Sequence, residues 1–128
     1  MSAADPVQHI PPSARVAGEP TPGMVREQAI AVAGLWAGVA HTEPGMTSGW
    51  HHHGAHETSI YIASGSLRME SGPGGASVVD AGPGDFVYVP PGVVHREGNP
   101  GSAPSLLVVV RAGTGPTTVN VAGPASEG

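Results

Sequence analysis

Three histidines have the types and the spacing of a metal site. His51 and His53 are separated by one residue in GMTSGWHHHGAHETSIYIASG (45–65), and His95 lies in GDFVYVPPGVVHREGN (84–99). Because successive side chains of a β-strand point to opposite faces, His51 and His53 share a face, with their backbones roughly 6–7 Å apart. Two imidazoles at this spacing can converge on one ion, and a neighbouring strand can add a third. The sequence therefore predicts that these histidines bind one divalent metal.

A fourth ligand is less well determined. Ile60 and Ile62 are expected to point inward, so Thr58 shares their face while Glu57 points outward, unless a β-bulge intervenes. Glu57 or His56, in the turn before this strand, can still supply a fourth ligand, with water and substrate in the remaining positions. The donor types suit iron, manganese, nickel, zinc and copper, and the sequence does not choose among them.

Two residues that follow His95 have two possible interpretations each. Glu97 shares the face of His95 by alternation, so it lies either at the mouth of a pocket or in a surface ion pair with Arg96. Asn99 suits the cap of a turn better than a metal ligand.

The residue types that are absent exclude several chemistries. The chain has no cysteine, and its five cationic side chains are all arginines. Thiol nucleophiles, thiolate zinc sites and lysine Schiff bases are therefore excluded. No Ser-His-Asp order and no spaced pair of carboxylates stands out. If the protein is an enzyme, the metal is expected to carry the chemistry.

Charge and hydropathy argue against nucleic acid and membranes as partners. The net charge of −5 is spread along the chain without a basic patch, which argues against nucleic acid. No apolar run reaches membrane-spanning length, and the first residues lack the pattern of a signal peptide. The sequence thus predicts no membrane partner and a cytoplasmic location.

Short apolar segments separated by turns predict an all-β fold. The chain contains 20 glycines and 14 prolines, and turn sequences such as SGPGG (71–75) separate β-rich segments of four to seven residues. Residues 24–41 are rich in alanine but are interpreted as two short strands. The predicted organisation is a Pro-rich arm (1–23), one domain (24–122) folded as an antiparallel sandwich or barrel, and a short tail (123–128).

The two histidine segments resemble the motifs of the cupin superfamily. The second motif (Gly, five residues, Pro-x-Gly, two residues, His, three residues, Asn) is matched at every position by Gly84, Pro90, Gly92, His95 and Asn99. The first motif is matched at its glycines and at its His-x-His pair. Its acidic position falls on Thr58 when counted back from the second glycine and on Glu57 when counted forward from the histidines.

The closest resemblance is to small single-domain bacterial cupins of type 2 that carry WHHHG-x-H-[DE]-T. It implies a jelly-roll-like β-barrel of two antiparallel sheets with a metal in its mouth. The expected function is that of a metal-dependent enzyme on a small organic substrate, with dioxygenase-like cleavage of an enol or phenolic compound favoured. The alternatives are an isomerase, cyclase or lyase on a keto compound, a non-catalytic metal-dependent binding module, and a structural protein that binds adventitious metal.

A homodimer is also expected. A barrel of this size leaves the edges of its sheets open, and outward aromatic residues such as Trp50 and Tyr61 are commonly covered by a second subunit.

Overall fold

The computed structural model describes residues 6–126, so the first five residues of the predicted arm and the last two of the predicted tail lie outside it. Eleven β-strands and two single-turn 3₁₀ helices, Pro12–Ala14 and Pro73–Gly75, make up the regular structure of this range. The strands are β1 (Val16–Ala17), β2 (Val25–Val32), β3 (Leu35–Thr42), β4 (His51–His52), β5 (Glu57–Ser64), β6 (Leu67–Ser71), β7 (Ser77–Ala81), β8 (Phe86–Val89), β9 (His95–Gly98), β10 (Ser105–Ala112) and β11 (Val119–Asn120).

The strands form two antiparallel sheets, which confirms the predicted all-β class. One sheet has the order β1-β2-β3-β10-β5-β8, and the other has the order β11-β4-β9-β6-β7. The alanine-rich segment forms β2 and β3, two antiparallel strands joined by a tight turn, as its β-rich context predicted. In residues 6–126, no helix is long and apolar enough to cross a membrane.

Part of the predicted N-terminal arm adds a strand to its own domain. Val16 and Ala17 pair with Gln28 and Glu27, so β1 becomes the edge of the six-stranded sheet. The boundaries proposed for the arm, the domain and the tail stay predictions.

Alternation along the strands gives the interior an apolar middle and a polar end. On β10 the inward positions are Leu107, Val109 and Arg111, and all three are buried. The pairing partners of Arg111 are Trp36 on β3 and Thr58 on β5, which are buried too. The polar end of the large sheet thus presents a guanidinium, an indole and a hydroxyl on its inner face.

The second glycine of the first motif allows the tight connection between β5 and β6. Gly65 has φ of +79°, and a Cβ atom there would lie 2.6 Å from the Cα of Ser105. Only glycine avoids both the strained backbone and the clash.

Candidate metal centre

The three histidines come from two adjacent strands of the smaller sheet. His51 on β4 is the direct pairing partner of His95 on β9, and His53 is the residue directly after β4. Alternation buries His51 and His53 and leaves His52 half-buried. Among residues 6–126, these three histidines form a group whose ligand atoms all lie within 4.8 Å of one another. Three buried histidines that could bind a metal are therefore present where the spacing predicted them.

Backbone carbonyl groups fix the orientation of all three rings. The Nδ1 of His51 lies 2.9 Å from the carbonyl oxygen of Gly49, and the Nδ1 of His95 lies 2.9 Å from that of Val93. The Nδ1 of His53 lies 2.7 Å from the carbonyl oxygen of Thr117. A carbonyl oxygen can only accept, so each Nδ1 carries the proton and each Nε2 is left with a lone pair. This is the tautomer that a metal ligand needs.

The chemistry of these nitrogens fits a cation between them. The Nε2 atoms of His53 and His95 face each other at 3.3 Å although both are acceptors in this tautomer. Two nitrogens that bind one ion at about 2.0–2.1 Å lie roughly 2.8–3.4 Å apart at angles of 90–110°. The observed spacing matches two ligands of one ion, and a divalent cation would remove the repulsion between the lone pairs.

A buried carboxylate lies beside two of the three histidines. Glu97, two residues after His95 on β9, is 3% exposed. Its Oε1 lies 3.6 Å from the Nε2 of His51 and 3.8 Å from the Nε2 of His95. Glu97 is therefore not in a surface ion pair with Arg96, which instead pairs with Glu70, and it lies in the interior rather than at the mouth of a pocket.

Arg26 reaches the same group from β2. Its Nη2 donates to the Nε2 of His51 at 3.1 Å, and its Nη1 donates to the hydroxyl of Thr21 and the carbonyl oxygen of Glu19. Because this contact occupies the lone pair of His51, a metal ion and Arg26 would compete for the same nitrogen.

Burial keeps the imidazoles of His53 and His95 uncharged. Desolvation, with the nearby charge of Arg111, lowers the pKa of His53 to about 2. Desolvation likewise lowers the pKa of His95 to about 4, although Glu97 opposes the shift. Burial acts to raise the pKa of Glu97, but His51, His95 and Arg26 outweigh it and lower the pKa to about 2. Neutral nitrogens beside an ionised carboxylate are the protonation states that ligation requires.

Glu57 does not join this group, although it was considered as a fourth ligand. Its side chain is exposed, and its carboxylate accepts a hydrogen bond of 2.9 Å from the hydroxyl of Tyr88. The pairing of β5 with β10 is regular here, since the register shift between these strands lies at Leu106 and Leu107. No bulge turns Glu57 inward, and the expectation that Thr58 takes the inner position is confirmed.

His56 is buried near the centre but lies outside the group of three. Its Nδ1 donates to the carbonyl oxygen of His53 at 3.1 Å. The ring lines a cleft of about 250 Å³ between the turn that joins β2 to β3 and the segment 113–117. Trp36 and Thr117 line the same cleft, so it borders residues that contact Arg111 and His53. This cleft lies beside the group of three histidines but is not lined by them.

The two interior arginines are the functional residues that sequence reasoning missed. Arg111 follows the apolar run SLLVVV and lies on the same face of β10 as the buried Leu107 and Val109. The alternation along β10 could therefore have predicted that Arg111 is buried. Arg26 lies in a strand whose register shifts between Gln28 and Ile30, and there the alternation is a weaker guide.

Comparison with known proteins places this geometry in a family. The family model for the cupin domain matches residues 38–111, which is more than half of the chain. Glucose-6-phosphate isomerase of Thermococcus litoralis is 30% identical over 79 residues, which cover 59% of this chain and 42% of that enzyme. The chain therefore spans less than half the length of this curated relative.

Solved structures share the fold at lower identity. A protein from Klebsiella pneumoniae with a double-stranded β-helix domain has a TM-score of 0.67 and 24% identity, over 80% of this chain and 89% of that one. The polyketide cyclase RemF of Streptomyces resistomycificus has a TM-score of 0.72 and 20% identity, over 90% of this chain and 85% of that one.

Proposed function

The chain belongs to the cupin family, and from this premise we propose that it is a metal-dependent enzyme that acts on a small organic molecule. The observation that carries the proposal is the set of three buried imidazoles with their Nδ1 atoms on backbone carbonyl oxygens and their Nε2 atoms turned to one point. We assign His51, His53 and His95 as ligands. Glu97 replaces Glu57 as the carboxylate ligand.

Residues around the metal site would admit the substrate and transfer protons. A divalent ion held by these donors supplies Lewis acidity toward an oxygen atom of the substrate. The cleft beside Trp36 admits the substrate, and His56 lines it. Since the Nδ1–H of His56 donates to a carbonyl oxygen, its Nε2 is the atom that accepts and returns a proton.

Two reaction classes follow, and the names of the relatives favour the isomerase, cyclase or lyase class over the dioxygenase-like class that the sequence favoured. The curated relative is named as an isomerase, and one structural neighbour is named as a cyclase. We therefore place isomerisation, cyclisation or lyase chemistry on a keto or enol compound first. Oxygen-dependent cleavage of an enol or phenolic substrate comes second, because several nitrogen ligands with one carboxylate also suit iron.

Oxygen consumption separates these classes. The natively purified protein is analysed for its metals, and the metal-loaded and chelator-treated forms are screened against keto, enol and phenolic compounds in an oxygen electrode cell. Turnover by the loaded form without oxygen uptake is expected, whereas stoichiometric uptake would establish the second class. Undiminished turnover by verified metal-free protein would contradict the proposal, and tight ligand binding without turnover would favour a binding module.

We propose a cytoplasmic location for the protein. We further propose a homodimer that forms through the outer face of the large sheet. β8 is the last strand of this sheet, and Phe86 on it is 72% exposed with Tyr61 packed against it at 5.0 Å between rings. Trp50 is already covered by Arg96 of the same chain, whose guanidinium carbon lies 4.7 Å from the centre of the indole ring.

Light scattering at micromolar concentration is expected to give twice the chain mass, because burial of such aromatic residues stabilises subunit contacts. Phe86→Asp should shift the protein to a monomer. Val78→Asp, an equally polar change at an exposed position of β7 in the other sheet, should leave the mass unchanged. A monomeric wild-type protein would contradict the prediction.

A further inference from the structure

Arg111 is a buried cation at the polar end of the interior. It is 2% exposed, and its strand neighbours in register are Trp36 and Thr58. Its guanidinium carbon lies 4.6 Å from the centre of the Trp36 ring, so the indole supports one face of the guanidinium. The side chain is held in place by stacking rather than by an ion pair.

The polar atoms around this guanidinium are unused. Its Nε and Nη1 have no hydrogen-bond partner among the described protein atoms, and neither has the hydroxyl oxygen of Thr58 on the adjacent strand. Arg26 also has an Nε without a partner, but its two Nη atoms are bonded to three acceptors. Buried polar groups are nearly always satisfied, and a buried charge without a partner is costly. Donors that a folded chain leaves free in its interior call for an acceptor from outside.

The charges inside the barrel specify the sign of that acceptor. Among the described residues, Arg26 and Arg111 bring two positive charges into the interior and Glu97 brings one negative charge. The interior therefore has an excess of positive charge, which a divalent metal would increase. An anion relieves this imbalance and a neutral ligand does not.

We propose that Arg111, with the hydroxyl of Thr58 beside it, binds the carboxylate of an anionic organic substrate. That the bound anion is a substrate rests on the proposed function. The anion site itself is inferred only from the residues of the interior. Arg111 is close enough to His53 for its charge to lower the pKa of that histidine. A molecule with its carboxylate on Arg111 would thus reach toward the three histidines. Trp36 connects this position with the cleft, whose apolar members Val32 and Leu35 suit a hydrocarbon body.

The test measures binding rather than turnover. Malonate, benzoate, malonamide and inorganic phosphate are titrated calorimetrically into metal-free and zinc-loaded protein. We expect both carboxylates to bind and the neutral malonamide not to bind. Arg111→Gln should weaken carboxylate binding about 10–100-fold, since hydrogen bonds to a charged partner are lost. Arg68→Gln, which removes an exposed arginine of the same charge, should bind as the wild type does.

A measurement of thermal stability distinguishes a lost binding site from a misfolded variant. Since Arg111 has no protein anion as a partner, Arg111→Met is expected to raise the melting temperature by about 3 °C or more. An arginine with a purely structural role would show the opposite change. Unchanged carboxylate affinity in Arg111→Gln, no carboxylate binding to the wild type, or a preference for phosphate would overturn the proposal. The metal content of Arg111→Gln is expected to equal that of the wild type. This measurement separates a failure of the anion site from a failure of the metal site.

Discussion

Replacing His51, His53 or His95 with alanine is expected to lower the bound metal from about one ion per chain to below about a tenth of an ion. Each substitution removes one of three nitrogens that lie within 4.8 Å of one another. The two that remain, with Glu97, form an incomplete site that competes poorly with water and buffer. Elemental analysis after gel filtration measures the effect, and competition with a chromophoric chelator gives the change in affinity.

His52 provides a matched control within the same triplet. It is half-buried, and its Nδ1 accepts a hydrogen bond from the backbone N–H of Gly54, so His52→Ala should keep the metal. A second matched pair tests the carboxylate: Glu97→Gln should weaken metal binding by about 10–100-fold, and Glu57→Gln should not change it. Full occupancy after loss of two of the three histidines, or an equal effect at Glu57, would show that the assignment of ligands is wrong.

Local rules were sufficient for the fold and for the core of the site. Turn residues and β-branched segments marked the strands, and the alternation of Ile60 and Ile62 placed Thr58 inside and Glu57 outside. The same period of two placed His51 and His53 on one face. These predictions succeeded because each concerns neighbours on a single strand, where the pleat leaves little choice.

The contacts between strands could not be derived in the same way. Alternation placed Glu97 on the face of His95, but its approach to His51 depends on the pairing of β4 with β9. Arg26 meets His51 only because β2 of the large sheet packs across from β4 of the small sheet. Neither contact has a local signal, because a packing between sheets joins residues that are distant along the chain. Arg111 was predictable as an inward residue, but its unsatisfied donors became visible only with its surroundings.

The metal-free protein is expected to lose stability steeply as the pH falls below about 6.5. His53 and His95 have pKa values lowered to about 2 and about 4 in the folded state, chiefly by burial. In the unfolded chain both return to about 6.5. Between these limits the unfolded state binds more protons than the folded state, so the free energy of unfolding rises with pH and falls as acid is added. Each histidine contributes up to about 1.4 kcal/mol per pH unit, which amounts to roughly 5 kcal/mol for the pair between pH 6 and pH 4.

Urea unfolding of chelator-treated protein at intervals from pH 8 to pH 5 measures this slope. His53→Asn, which keeps a polar side chain that does not titrate, should remove about half of it, while His52→Asn should leave it unchanged. Glu97 adds to the loss only below its ordinary pKa of 4.5, because its own pKa is also lowered in the folded state. A slope that is flat across this range, or one that persists in His53→Asn, would mean that the imidazoles are hydrated or already charged in the folded protein. In that case, burial would not hold these nitrogens uncharged and ready for a metal.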